Sequence, residues 1–126
     1  MPSAPERPSA GPLVLVAEDE FLLALELELL LEGHGYRVLG PASTVAEALR
    51  MLEGATPDAA LLDVNLRGEM VTPVAEALRA RGVPFVLASA YDRPERLAGT
   101  LAGAVNLGKP TSDGRLLAAL AQAVGR

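Results

Sequence analysis

The sequence has no cysteine and no tryptophan, and only 3% of its 126 residues are aromatic. The absence of cysteine excludes disulfide bonds, thiolate catalysis and cysteine-based zinc sites. Because aromatic rings are scarce and 50% of the residues are apolar, the core must be built from leucine, valine and alanine. A chain of this length fits one domain with one core.

Positively charged residues are also fewer than negatively charged ones: 11 lysines and arginines stand against 16 acidic residues, which gives a net charge of −5. This balance disfavours non-specific binding to nucleic acid or to an anionic membrane. No apolar run approaches the roughly 20 residues that span a bilayer. The N-terminal stretch MPSAPERPSAGP lacks the apolar segment of a signal peptide. We therefore expect a cytoplasmic protein with no nucleic-acid or membrane partner.

The same N-terminal stretch contains four prolines together with serine, alanine and glycine. This composition predicts a disordered tail over residues 1–12. The folded domain is then expected to occupy residues 13–126.

Apolar segments and helical patterns alternate five times along that domain. The strand-like segments are uninterruptedly apolar, which predicts a parallel sheet covered by helices on both faces. The expected class is an open, doubly wound α/β sheet, in which ligands bind beyond the carboxyl ends of the strands. The predicted strands are 13–17, 36–40, 58–64, 83–90 and 104–108, and the helices between and after them are FLLALELELLLEGHG, TVAEALRMLEG, VTPVAEALRARG, DRPERLAGTLAG and RLLAALAQAVG.

Several residues mark helix ends. Gly33 or Gly35 is expected to end the first helix. Ser43 or Thr44 is expected to cap the second, with Glu47 three residues after Thr44. Thr72 is expected to cap the third, with Pro73 at its first position. The stretch NLRGEM before that helix is predicted to be a polar loop.

Polar residues follow the apolar strands at their carboxyl ends; in LLDVN, for example, an acid follows the apolar run. Neighbouring parallel strands bring these positions to one edge of the sheet. Carboxylates that lie close together repel one another and need a cation, and an all-oxygen set suits Mg²⁺. A lysine and a hydroxyl would donate hydrogen bonds to an incoming phosphoryl group. The transfer of such a group depends on positioning and charge neutralisation. The residues concerned are Glu18, Asp19, Asp63, Asn65, Ser89 and Lys109.

With these motifs in this order, the sequence resembles the receiver domain of bacterial two-component response regulators over about residues 13–125. The motifs are the acidic pair in LVLVAEDE, the acid in LLDVNLRGE, the hydroxyl in FVLASAYD and the lysine in NLGKP. The resemblance implies the CheY-like, flavodoxin-like (βα)5 fold with strand order 2-1-3-4-5. It also implies that Asp63 accepts a phosphoryl group from a phosphohistidine.

The resemblance further implies how Mg²⁺ is held. Asp19 and Asp63 would bind it directly, together with the main-chain carbonyl of Asn65, and Glu18 would reach it through water. Lys109 and Ser89 would contact the phosphoryl group. The bond Lys109–Pro110 is expected to be cis, as it often is in this family.

The sequence departs from the family pattern where the switch residues lie. Asn106 stands where receivers usually carry an aromatic ring, and Tyr91 follows Ser89 by two positions. PFVLASAYD resembles the stand-alone "FATGUY" subset of receivers. We therefore expect activation to be relayed by Ser89 and Tyr91.

The implied partners are a histidine kinase or phosphotransfer protein and possible downstream proteins, with the apolar first helix as a docking surface. The domain would be a stand-alone receiver or a phosphate sink. It would catalyse only its own phosphorylation and dephosphorylation and would not be an enzyme for external substrates. A homodimer through the first or last helices is a further expectation.

Three other classes fit less well. A haloacid-dehalogenase-like phosphatase needs an acid two residues after the nucleophile, where Asn65 stands. A flavodoxin-like nucleotide binder needs a phosphate loop after the first strand, where EDE would repel phosphate. A receiver-like scaffold that takes no phosphate remains open because the usual aromatic residue is missing.

Overall fold

The computed structural model describes residues 11–88, 105–107 and 112–125. The elements of these residues, in chain order, are β1 (Leu13–Ala17), α1 (Phe21–Gly33), β2 (Arg37–Ala42), α2 (Val45–Gly54), β3 (Ala59–Leu62), β4 (Asn65–Leu66), β5 (Glu69–Met70), α3 (Thr72–Ala80), β6 (Phe85–Leu87) and α4 (Asp113–Gly125).

Four of the strands form a parallel sheet in the order β2-β1-β3-β6. A parallel bridge joins Leu87 of β6 to Asn106, so the segment 105–107 lies beside β6. This segment occupies the place of the predicted fifth strand, and the order corresponds to the predicted 2-1-3-4-5. The prediction of a flavodoxin-like doubly wound sheet is confirmed.

The sheet is covered on both faces, as its uninterrupted apolar strands predicted. Alternate residues of β1 enter two separate core clusters. Leu15 packs with α2 and α3, around Leu52 and Leu78. Val16 packs with α1 and α4, around Leu31 and Leu120. The period of two along a strand therefore distributes one short apolar run between two cores.

The start of α2 follows the predicted capping pattern. Thr44 is the N-cap, and its Oγ1 accepts a hydrogen bond from the main-chain N–H of Glu47 at 3.0 Å. Glu47 in return accepts from the main-chain N–H of Ser43 at 2.7 Å. Two of the N–H groups at the start of the segment thus gain partners.

The prediction for α3 was wrong by one residue. Val71 occupies the N-cap, Thr72 is the first helical residue, and no side chain caps the helix. The main-chain carbonyl of Val71 instead accepts from Val74 at 2.9 Å and from Ala75 at 3.1 Å. Val71 is fully buried, so core packing fixes the position where this helix begins. The first helix ends at Gly33, as predicted.

The stretch NLRGEM is not a loop. It forms an antiparallel β4–β5 hairpin (Asn65–Met70), in which Asn65 pairs with Met70 and Leu66 pairs with Glu69. Leu66 is buried, and the main-chain N–H of Val71 donates to the carbonyl of Val64 at 2.8 Å. These core contacts hold a hairpin whose polar sequence gives little sign of strands.

Other predictions fall on residues outside the described ranges. The helix over 92–103 is one, and the cis bond at Lys109–Pro110 is another. In the described part of the chain, the bond Gly40–Pro41 is cis. None of the described helices is long and apolar enough to cross a bilayer. Disorder of residues 1–12 stays a prediction, although Arg37 donates to the carbonyls of Gly11 and Pro12.

Candidate functional site

Three carboxylates meet at the carboxyl edge of the sheet. Glu18 and Asp19 follow β1, and Asp63 follows β3, the strand that pairs with β1. One carboxylate oxygen from each residue lies within 4.8 Å of the others. The prediction that folding gathers these three side chains is therefore matched by the structure.

Glu18 is the most deeply placed of the three, with 3% of its surface exposed. Its Oε2 atom accepts a hydrogen bond from the main-chain N–H of Glu20 at 3.0 Å. Its own N–H donates to the carbonyl of Ala42 at 2.9 Å, which ties the residue to β2. Because a buried charge without partners is strongly unfavourable, the hydrogen bond from Glu20 helps to stabilise the carboxylate of Glu18 here.

Asp63 and Asn65 lie half-buried at the end of β3. The main-chain N–H of Asn65 lies 3.5 Å from Oδ1 of Asp63, a long and therefore weak hydrogen bond. The side-chain Oδ1 of Asn65 accepts from the main-chain N–H of Gly68 at 2.8 Å. The Asn65 side chain is thus engaged by the hairpin turn.

Asp19 is held by a contact that the sequence did not reveal. Its Oδ2 atom accepts a hydrogen bond from the main-chain N–H of Arg67 at 2.8 Å, across 48 positions of sequence. Arg67 is at the tip of the β4–β5 hairpin. The only sequence signal for such a tip is Gly68, because a glycine within a short polar stretch is compatible with a tight turn.

The donor set fits a hard divalent cation. All three side chains offer oxygen, and Mg²⁺ prefers oxygen ligands and uses few from the protein. Three carboxylates within this distance also repel one another, so a cation between them lowers their mutual repulsion. The prediction of a Mg²⁺ site therefore agrees with the chemistry of the residues that the structure brings together.

A cleft of about 330 Å³ opens beside this cluster. The start of α1 forms one wall, and the segment that leads from β2 into α2 forms the other. Both Glu18 and Asp19 line it, together with Glu47 and Arg67. The hydrogen bond from the main-chain N–H of Ser43 lowers the pKa of Glu47 below the ordinary value of 4.5, and the bond from the Ser43 hydroxyl adds to this effect.

An exposed apolar surface runs along α1 from the edge of this cleft. We call it the α1 stripe, and Phe21 at its upper end is 78% exposed. The spacing of its members places them on one side of the helix. Large apolar side chains that lie together on a surface often mark a site of protein interaction. The stripe consists of Phe21, Leu22, Leu25 and Leu29.

The remaining predicted site residues, Ser89, Tyr91 and Lys109, lie outside the described residues. Ala88 and Leu107, the described residues that precede Ser89 and Lys109 in the sequence, are both hydrogen-bonded to strands of the sheet. Ala88 donates its N–H to the carbonyl of Leu62 at 2.9 Å, and Leu107 donates to Leu87 at 2.7 Å. The participation of these three residues in the site stays a prediction.

Comparison with known proteins gives consistent results. A model of the response regulator receiver domain family matches residues 14–121, a range that includes all seven predicted site residues. The transcriptional regulatory protein PdtaR of Mycobacterium tuberculosis is 33% identical over 119 residues, which cover 90% of this chain. The aligned region covers 57% of PdtaR, so the chain spans little more than half of that relative's length.

Solved structures match in the same way. The crystal structure of the response regulator PhyR from Brucella abortus has a TM-score of 0.77 and 29% identity, over 90% of this chain and 48% of PhyR. The solution structure of the receiver domain of PhyR from Erythrobacter litoralis has a TM-score of 0.78 and 28% identity, over 90% of both chains.

Proposed function

Because the chain belongs to the family of response regulator receiver domains, we propose that Asp63 accepts a phosphoryl group from the phosphohistidine of a histidine kinase or phosphotransfer protein. The observation that carries this proposal is the approach of three carboxylates at the carboxyl ends of β1 and β3. One of them is the nucleophile, and the other two, Glu18 and Asp19, prepare a cation site beside it.

In the transfer, a carboxylate oxygen of Asp63 attacks the phosphorus atom. A phosphorus–oxygen bond forms as the phosphorus–nitrogen bond breaks, and the bonding electron pair returns to the imidazole of the donor. The product is an acyl phosphate on Asp63. Bound Mg²⁺ would neutralise negative charge of the carboxylates and of the phosphoryl oxygens, which is most of what this reaction requires.

The chain's own residues position this cation and the incoming group. Asp19 and Asp63 would be direct ligands, the main-chain carbonyl of Asn65 a third, and Glu18 would act through water. Lys109 and Ser89 would contact the phosphoryl oxygens. Ser89 and Tyr91 would relay the activation that follows phosphorylation. The hydrogen bond that engages the Asn65 side chain supports the assignment of its main-chain carbonyl.

The donor protein would dock on the α1 stripe. The stripe begins at Phe21, beside the cleft that reaches Glu18 and Asp19. A partner that covers it would thus be held next to the acceptor. Once phosphorylated, the domain would act through a downstream protein in the cytoplasm or serve as a phosphate sink, and it would modify no external substrate.

The test is phosphoryl uptake from a small donor. Purified protein is incubated with Mg²⁺ and acetyl phosphate, and intact mass is measured. We expect the addition of one phosphoryl group, lost in Asp63→Asn and on removal of Mg²⁺ with EDTA. The matched control is Asp58→Asn, because Asp58 lies at the opposite, amino end of β3 and its carboxylate accepts from the N–H of Leu13.

Three results would contradict the proposal. Uptake that persists in Asp63→Asn would place the acceptor elsewhere. No uptake from acetyl phosphate and no binding of beryllofluoride would favour a scaffold that takes no phosphate. Continuous release of phosphate from varied monoesters would instead favour the haloacid-dehalogenase-like enzyme.

A further inference from the structure

The tip of the β4–β5 hairpin has an unusual main-chain conformation. Arg67 has a φ of +53° and Gly68 has a φ of +87°. Two successive residues with positive φ between antiparallel strands are the pattern of a type I′ hairpin turn. Glycine adopts such a φ readily, whereas arginine does so seldom. The surrounding structure must therefore hold Arg67 in this conformation.

The consequence of this conformation is the direction of one N–H group. The main-chain N–H of Arg67 donates to Oδ2 of Asp19 at 2.8 Å, whereas the next N–H, that of Gly68, donates to Asn65. The hydrogen bond of Gly68 thus stays within the hairpin, whereas that of Arg67 reaches the acidic cluster. A carboxylate that accepts a main-chain N–H is restricted in its orientation.

The hairpin is well suited to hold a carboxylate still. Leu66 and Val71 are buried in the core, and Val71 is hydrogen-bonded to Val64. The hairpin is therefore anchored in the core by one buried residue before its tip and one after it. The core thus holds the hairpin in place, and the hairpin fixes the direction of the Arg67 N–H that orients the carboxylate of Asp19.

We propose that Arg67 is a positioning residue for Asp19, and that the β4–β5 hairpin thereby sets how tightly the acidic cluster binds a divalent cation. This inference rests on the proposed function, which assigns Mg²⁺ to that cluster. Groups that orient metal ligands from outside the coordination sphere change metal affinity by about 10- to 100-fold when they are removed. The main-chain N–H of Arg67 is such a group.

The side chain of Arg67 acts in the opposite direction. Arg67 is among the residues that line the same cleft as Glu18 and Asp19, and its side chain carries a positive charge. A nearby positive charge lowers the affinity of the cluster for another cation. The main chain of Arg67 thus favours Mg²⁺ binding, and its side chain opposes it.

Two substitutions separate these effects. Arg67→Pro removes the N–H and cannot adopt a positive φ, so the Mg²⁺ dissociation constant should rise by about tenfold or more. Arg67→Gly keeps the N–H, suits the turn and removes the charge, so the dissociation constant should fall by roughly twofold to fivefold at low ionic strength. Both dissociation constants are measured by titration with MgCl₂, in which the amide NMR shifts report binding.

The matched control is Gly82→Pro. Gly82 also has a positive φ, of +71°, and its N–H also donates a hydrogen bond, to the carbonyl of Arg79 at 3.0 Å. It precedes β6 and so lies at the opposite edge of the sheet. Gly82→Pro should destabilise the fold like Arg67→Pro and leave Mg²⁺ affinity unchanged.

A second measurement avoids a variant that fails to fold. Amide hydrogen exchange at Arg67 should become faster in Asp19→Ala, because the acceptor of its N–H is lost, and exchange at Gly68 should change less. Unaltered exchange at Arg67 would overturn the inference, as would weaker Mg²⁺ binding by Arg67→Gly than by the unmodified protein. If the unmodified protein bound no Mg²⁺ at all, the proposed function itself would fail.

Discussion

The main-chain N–H of Asp63 donates to the carbonyl of Ala17 at 2.9 Å. This bond continues the pairing of β3 with β1 by one residue beyond the end of β3. It therefore places Asp63 beside Glu18, the residue that follows Ala17. The acidic cluster is a direct extension of the sheet, and the rigidity of two buried strands is passed to the residues that would bind the cation.

The cation should stabilise the folded protein, because it binds a cluster that exists only after folding. At a free Mg²⁺ concentration ten times the dissociation constant, the gain in unfolding free energy is about 1.4 kcal/mol. Thermal unfolding with MgCl₂ and with EDTA measures this gain. Asp19→Asn should lose most of it, since one carboxylate of the cluster is neutralised. An equal gain in Asp19→Asn would show that Mg²⁺ binds elsewhere.

Gly40 in β2 should not tolerate a side chain. Its φ is +104°, and an added Cβ would lie 2.8 Å from the nitrogen of Ala42 and 3.0 Å from the carbonyl oxygen of Val16. Gly40→Ala should therefore lower the unfolding free energy by about 2–3 kcal/mol. Gly54 has nothing within 4 Å of an added Cβ, so Gly54→Ala should raise stability by about 0.5 kcal/mol. Urea unfolding checks both, and a Gly40→Ala protein as stable as the parent would contradict the first.

The acidic cluster was predictable because chain order and strand pairing determine it. Once LVLVA and AALL are recognised as parallel neighbours, Glu18 and Asp63 must follow them at the same edge. The β4–β5 hairpin was not predictable in the same way. Its strands have two residues each, which is too short for a periodic pattern, and they are stabilised by the burial of Leu66 in a core that forms from distant segments.

The packing of α1 was also beyond the sequence. Leucines occupy every side of this helix, so the pattern has no direction that points to the core. The structure buries Ala24 and Leu31 and leaves Leu22 and Leu29 exposed. Which side is buried depends on how the helix lies on the sheet, and that is a tertiary property. The contact of Arg67 with Asp19 is tertiary for the same reason.

The capping interaction at Glu47 should make stability depend on pH. Hydrogen bonds from Ser43 lower the folded-state pKa of Glu47 below 4.5. A carboxylate with a depressed pKa contributes stability above its unfolded pKa and loses it as the pH falls through the folded value. The stability difference between the parent and Glu47→Gln should therefore be largest at neutral pH and shrink below about pH 4.5.

Urea unfolding of both proteins between neutral and acidic pH measures this difference, which removes the contributions of other carboxylates. Glu53→Gln is the matched control. Glu53 is exposed near the carboxyl end of α2, where a negative charge is unfavourable to the helix dipole. Its substitution should leave stability unchanged or raise it slightly at neutral pH. A Glu47→Gln deficit that grows as the pH falls would contradict the assignment.

The α1 stripe should matter for transfer between proteins and not for folding. Leu29 is 61% exposed, so Leu29→Gln should change the unfolding free energy by no more than about 0.5 kcal/mol. If a kinase covers this leucine, loss of its burial corresponds to about 1.5–3 kcal/mol, or a transfer efficiency reduced by at least tenfold. Phosphorylation by acetyl phosphate should be unaffected, because a small donor needs no docking surface.

Ala80→Gln on the exposed side of α3 is the control, and transfer from a panel of autophosphorylated histidine kinases is the measurement. Equal rates for the parent and Leu29→Gln with every kinase that phosphorylates the parent would place the docking surface elsewhere.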